Sequence, residues 1–100
     1  MVYHITTQTR WNLLENDTYF APEAYAREKF IHCCEKHQVD GVLSRYFSGA
    51  DNLLILSLDE NELEHKLIYE PSTNQELFPH LYGMINKSAI VEVEKIRSTP

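Results

Sequence analysis

Leu53-Leu54-Ile55-Leu56-Ser57-Leu58 is the stretch of this sequence that decides the fold. Five of its six residues are large and aliphatic, and so short an apolar run is typical of a β-strand covered on both faces. Polar residues limit it on both sides, with Ser48 to Asn52 before it and Asp59-Glu60-Asn61 after it. We therefore predict that this run is the central strand of a sheet.

Two helices are predicted before this strand. The clearer one has five apolar residues on one helical face, namely Val39, Val42, Leu43, Tyr46 and Phe47. The earlier one begins near Thr7-Gln8-Thr9, which offers hydroxyl caps, and carries Trp11 and Leu14 three residues apart. The segment Tyr19 to Lys29 has no sustained periodicity, which predicts a loop or a single turn.

Five further short runs have the composition of strands. They are Val2–Thr6, Phe30–Cys34, Lys66–Tyr69, Phe78–Gly83 and Ala89–Glu94. The last of them alternates apolar and acidic residues in its second half, which is typical of a strand near a sheet edge. The order of elements predicts one α+β domain over residues 1–100, with two early helices packed on a mostly antiparallel sheet.

The charge balance excludes some classes of partner. Fifteen acidic residues against nine basic ones give a net charge of -6, which opposes general nucleic-acid binding. The basic residues are scattered, and no apolar run approaches the about eighteen residues of a membrane span. The opening segment lacks the features of a signal peptide, and adjacent Cys33 and Cys34 point to opposite faces of a strand. These features predict a soluble cytoplasmic protein with reduced thiols.

Three histidines lie within predicted strands, and they are the main candidates for a chemical site. Alternation along a strand gives each histidine two neighbours on its own face. The three sets are Val2, His4 and Thr6; Phe30, His32 and Cys34; and Phe78, His80 and Tyr82. An imidazole donates, accepts or ligates near neutral pH, so we expect the three rings to line one cleft.

The residues alone leave several kinds of site open. His32 beside Cys34 is a candidate imidazole–thiol pair, although a buried cysteine is more often a small hydrophobic residue. Each histidine ring can instead be packed, with its nitrogens bonded to the backbone. Three histidines also suit zinc, but no two have close ligand spacing, and we assign no metal ligands. His37 and His65 are expected on the solvated surface.

The segments around the three histidines resemble a family of small bacterial proteins, the domain of unknown function 952 family. The motifs that carry the resemblance are Tyr3-His4-Ile5-Thr6, Phe30-Ile31-His32-Cys33-Cys34 and Glu76-Leu77-Phe78-Pro79-His80-Leu81-Tyr82-Gly83. The likeness continues through Gln38-Val39, Arg45-Tyr46-Phe47 and the leucine-rich strand. This family is distantly similar in fold to ADP-ribosyltransferases, and the resemblance implies an ADP-ribosyltransferase-like fold.

The resemblance also implies roles for individual residues. In ADP-ribosyltransferases an early strand carries a histidine that contacts a ribose of NAD, and His4 matches that position. The family's serine is Cys34 here, a poorer partner for a ribose hydroxyl. His80 stands where a transferase usually places a glutamate, whose charge stabilises an oxocarbenium-like centre. A neutral His80 would instead orient a hydroxyl.

The leading hypothesis is a cytoplasmic protein whose histidine-lined cleft binds a nucleotide-like small molecule, with NAD as the implied cofactor, and acts by transferase-type chemistry. The catalytic residues in this hypothesis are His80 and His32. The cofactor-binding residues are His4, Thr6, Cys34 and Tyr82. Two alternatives stay open: a non-catalytic binding or interaction module that meets a protein partner, and a His-ligated metal hydrolase. The sequence does not define the substrate or the oligomeric state.

Overall fold

The computed structural model of this chain describes residues 1–96, in which strands and short helices alternate. The strands are β1 Val2–Thr7, β2 Tyr19–Phe20, β3 Ile31–His32, β4 Leu53–Leu58, β5 Lys66–Pro71, β6 Leu77–Tyr82, β7 Ile85–Asn86 and β8 Ile90–Ile96. The helices are α1 Gln8–Leu13, α2 Tyr25–Glu28 and α3 Val39–Tyr46. All pairings between these strands are antiparallel, so the α+β class is confirmed.

The predicted central strand, β4, lies in the middle of a three-stranded sheet of order β1-β4-β8. All of its residues except Ile55 are buried, as expected for a strand covered on both faces. β1 pairs with it in a register that sets His4 opposite Leu56. β8 forms the outer edge of this sheet, as predicted, and Glu92 and Glu94 are exposed to solvent. Val91 and Val93, which the alternation placed on the buried face, are also exposed, by 60% and 41%.

A second three-stranded sheet has the order β3-β6-β5, and its register sets His32 directly opposite His80. Tyr3 and Cys34 join the edges of the two sheets by exchanging both backbone hydrogen bonds, each 2.8 Å long. β2 and β7 form a separate two-stranded ladder. The sequence pattern did not predict these two strands, because two residues are too few to show an alternation.

Within residues 1–96, three short α-helices are present where two helices were predicted. α1 and α3 lie at the predicted positions, and Oγ1 of Thr7 caps α1 by accepting the backbone N–H of Arg10 at 3.1 Å. α2 is a single turn within the segment predicted as a loop or turn. The residue that follows it, Lys29, caps the turn in a left-handed conformation (φ 68°), which redirects the chain toward β3. No helix within residues 1–96 has the length and apolar character to cross a membrane.

The apolar core forms two clusters, one on each side of the β1-β4 pair. The larger cluster contains the buried residues Val2, Phe20, Ala21, Ile31, Cys33, Leu56, Leu58, Leu81 and Ile85. The smaller one lies under α3, where Ile5, Leu43 and Leu53 are covered by side chains that include Val39, Val42 and Phe47. Tyr46 was predicted on the buried face of this helix, and that prediction is wrong. It is the last residue of α3, and 60% of its surface is exposed.

Gln38 fixes the start of α3 against β6. Its buried side chain accepts the backbone N–H of Glu35 at 2.9 Å. Its amide nitrogen donates to the carbonyl of Leu77 and to the carboxylate of Glu76, both at 2.9 Å. Three elements of the chain therefore meet at one side chain, which holds α3 in place beside the second sheet.

We expect Gln38→Ala to lower the free energy of unfolding by about 1–3 kcal/mol, because it leaves the Leu77 carbonyl and the Glu35 N–H without their partner. Gln8→Ala is the matched control, since that amide donates to Asn12 on an exposed helix face. Urea unfolding of both variants measures the difference. Equal losses would contradict this role for Gln38.

Candidate functional site

A cavity of about 320 Å³ lies next to the junction of the two sheets. Its walls come from β1, from the segment around β3, from α3 and from the region of α2. The lining residues are Tyr3, His4, Ile5, Pro22, Ala24, Glu28, Phe30, His32, Cys33, Cys34, Val42, Tyr46, Phe47, Ser72 and Phe78. Ligand sites commonly measure about 300–1,000 Å³, and this cavity lies at the lower end of that range.

His4 is a buried, neutral hydrogen-bond acceptor in the wall of this cavity. Its Nδ1 lies 2.7 Å from the backbone carbonyl of His32, and because a carbonyl only accepts, Nδ1 carries the proton. Burial lowers the pKa of His4 to about 4, although the bond to the His32 backbone opposes that shift. Nε2 therefore keeps its lone pair near neutral pH, and it is buried without a hydrogen-bond partner among residues 1–96.

His32 and Glu28 lie together in the same wall. The imidazole of His32 is exposed, and its Nε2 lies 3.3 Å from Oε1 of Glu28. The two atoms are poorly aligned for a hydrogen bond, and this Glu28 oxygen is buried without another partner. Desolvation lowers the pKa of His32, the Glu28 charge opposes that effect, and nearby His80 adds to it. The cavity thus contains a second acceptor, the Glu28 carboxylate.

His80 lies behind the cavity wall. Phe30, which lines the cavity, stacks on the His80 ring with the centroids 4.4 Å apart. The rings of His32 and His80 are nearly perpendicular, and their centroids lie 5.1 Å apart. Nδ1 of His80 lies 2.7 Å from Oε1 of Glu70, and its Nε2 is buried without a hydrogen-bond partner. The three predicted imidazoles therefore do converge, but only His4 and His32 line the cavity.

Glu70 orients both His80 and Tyr82. Its Oε1 accepts the hydroxyl of Tyr82 at 2.6 Å in addition to the imidazole of His80. The bond from Tyr82, followed by that from His80, lowers the pKa of Glu70, and the same contact raises the pKa of Tyr82. A carboxylate that is hydrogen-bonded to one nitrogen of an imidazole fixes the orientation of the ring, as it does in the catalytic triads of known hydrolases. Tyr82 lies outside the cavity lining, so its stacking on a ligand stays a prediction.

Two other predicted residues have different surroundings. Cys34 lines the cavity, and burial raises the pKa of its thiol to about 11. A nucleophilic cysteine requires the opposite shift, so the geometry disfavours the pairing of Cys34 with His32 for that purpose. Both cysteines are free thiols, as predicted. Thr6 is buried and lines a neighbouring hollow instead of the cavity.

Sequence reasoning missed Glu28 and Glu70 as members of the site. Glu28 lies four residues before His32, but the intervening left-handed Lys29 makes their contact impossible to predict from helical spacing. Glu70 reaches His80 because β5 pairs with β6, a non-local register. Residues 1–96 contain no group of three or more His, Cys, Asp or Glu side chains arranged to hold a metal ion.

Fold and site together define a small α+β protein with a histidine-walled cavity. The chain belongs to the family described as "Protein of unknown function (DUF952)", whose model matches residues 5–93. No curated protein matches it significantly. Among solved structures, it is similar to the crystal structure of protein CC0527 from Caulobacter crescentus, with 24% identity, a TM-score of 0.85 and coverage of 94% of this chain and 83% of that chain.

The solution NMR structure of CC0527 gives the same result. It has 24% identity and a TM-score of 0.81, and the match covers 96% of this chain and 84% of that chain. At this level of identity the similarity shows a shared fold and carries no activity from one protein to the other.

The state of His4 gives a prediction about pH. Its pKa is about 4 in the folded chain against the ordinary 6.5, so between these values the unfolded chain binds the additional proton. Stability therefore falls as the pH drops through this window, by up to about 3 kcal/mol from His4 alone. We expect His4→Asn, which keeps a donor near the Nδ1 position, to lose this part of the dependence.

Urea unfolding at pH 7 and pH 4.5 measures that dependence. His37→Asn is the control, because His37 lies on the exposed surface and should keep the slope of the wild type. A His4→Asn protein whose stability changes with pH as steeply as the wild type would contradict the neutral state of His4.

Proposed function

We propose that this protein binds a nucleotide-like small molecule in the cavity, and that a ribose hydroxyl donates a hydrogen bond to Nε2 of His4. The observation that carries the proposal is this buried, neutral nitrogen, which has a lone pair and no protein partner. An unsatisfied buried acceptor costs about 1–3 kcal/mol, which a donor on a bound ligand would recover.

The chemistry of the remaining wall favours a ribose and a planar ring. Within residues 1–96, Oε1 of Glu28 is a second buried oxygen without a hydrogen-bond partner, although Nε2 of His32 lies 3.3 Å away. A ligand with two hydroxyl donors, such as a vicinal diol, would satisfy both acceptors. Phe30, Tyr46 and Phe78 add aromatic surface to the same cavity. Aromatic side chains pack well against the flat face of a base.

The catalytic part of the proposal rests on His32 and on the Glu70–His80 pair. With NAD as the ligand, the C–N bond between the ribose and nicotinamide breaks and nicotinamide leaves. A hydroxyl oxygen of water or of an acceptor molecule forms the new bond to the ADP-ribosyl group and loses its proton. His32 is the solvent-exposed imidazole in the wall and is a candidate to move a proton. His80 is held by Glu70 and contacts His32, so we assign it a positioning role. This division also agrees with the proposed ADP-ribosyltransferase-like fold.

Binding is tested by calorimetry with adenosine, ADP-ribose and NAD. We expect measurable binding by the wild type and a loss of about tenfold or more in affinity for His4→Asn, which removes the acceptor at Nε2. His37→Asn is again the matched control and should bind like the wild type, because His37 lies outside the cavity. Absence of binding for all three ligands would refute the nucleotide proposal.

Catalysis is tested separately by following the release of nicotinamide from NAD. We expect His32→Ala to reduce the rate by about 10²-fold or more, as is typical for loss of a general acid or base. His65→Ala is the control, because His65 lies outside the cavity lining. If the wild type binds NAD without turnover, the protein is a binding module, which is the alternative to an enzyme.

A further inference from the structure

A second hollow adjoins the cavity and differs from it in chemistry. It measures about 690 Å³ and shares Ile5, Pro22 and Phe47 with the cavity wall. The polar residues that line it are Thr6, Thr7, Thr9, Arg10, Asn12 and Glu23. A ligand that fills the cavity can therefore extend past the shared residues into a hollow rich in hydroxyl groups.

Arg10 supplies the positive charge of this hollow. Its Nε donates to the backbone carbonyl of Ala21 at 2.9 Å, which fixes the plane of the guanidinium group while leaving its terminal nitrogens for other partners. Within residues 1–96 Arg10 forms no ion pair, although exposed Glu23 lines the same hollow. A guanidinium held in this way suits the oxygens of a phosphate group.

We infer that the hollow around Arg10 is a phosphate subsite, so that the ligand is a nucleoside phosphate whose nucleoside occupies the cavity. The inference rests on the proposed function and narrows its substrate class. Two features support it: the cavity is at the lower end of the volume range of ligand sites, and the hollow next to it, which shares part of its wall, offers a fixed cation together with threonine hydroxyls. Among the residues of 1–96 that line the hollow, Arg10 is the one cationic side chain, and it attracts an anion against the overall negative charge of the chain and the nearby Glu23 carboxylate.

Calorimetry with adenosine, AMP and inorganic phosphate tests the inference. We expect the wild type to bind AMP about tenfold more tightly than adenosine, a difference of about 1.4 kcal/mol. Arg10→Gln should remove this preference and leave the affinity for adenosine unchanged, while Arg10→Lys should keep part of it. Arg27→Gln is the control, because exposed Arg27 lines neither the cavity nor the hollow.

The outcomes separate this inference from the proposed function. Equal affinity for adenosine and AMP in the wild type would overturn the phosphate subsite and leave nucleoside binding in place. An AMP preference that persists in Arg10→Gln would overturn the role of Arg10. Absence of binding for both adenosine and AMP would overturn the proposed function and the subsite together. Phosphate that binds alone and competes with AMP, in an Arg10-dependent way, would support the subsite.

Discussion

The paired backbone bonds between Tyr3 and Cys34 are the constraint on which the site depends. These two bonds, each 2.8 Å long, join the edges of the two three-stranded sheets. The next residue along β1 is His4, and its imidazole reaches the carbonyl of His32 at 2.7 Å. A backbone pairing and a side-chain bond thus define one boundary of the cavity. Together with the core cluster that Val2 shares with Ile31 and Cys33, this junction fixes the separation of β1 and the segment around β3.

The junction also determines the chemical character of the cavity. The carbonyl of His32 selects the tautomer of His4, and burial keeps the ring uncharged. The wall consequently presents acceptors: a neutral nitrogen from His4 and a carboxylate oxygen from Glu28. Behind the wall, Glu70 binds His80 and Tyr82 through one oxygen. Each of the two interior imidazoles therefore has one nitrogen bonded and the other without a protein partner.

The sequence predicted those features that depend on local patterns. Leu53–Leu58 was identified as the central strand because its apolar run is continuous, and α3 because its periodicity extends over two turns. Strand alternation alone did not predict which imidazoles face the cavity: His4 and His32 line it, and His80 lies behind its wall. The partners of those histidines could not be predicted, because Glu70 reaches His80 through the register of β5 and β6. Periodicity placed Tyr46 on the buried face of α3. It cannot show that the end of a helix extends past the apolar surface on which the helix packs.

The cavity wall draws on residues from Tyr3 to Phe78, which come together only in the complete fold. The unfolded chain has no comparable surface. A ligand of the cavity therefore binds only the folded state and raises the free energy of unfolding. A compound at about a hundred times its dissociation constant would add about 2.7 kcal/mol to the folded state. A rise in the thermal denaturation midpoint therefore reports binding of a ligand, and a compound library can be screened in this way without an activity assay.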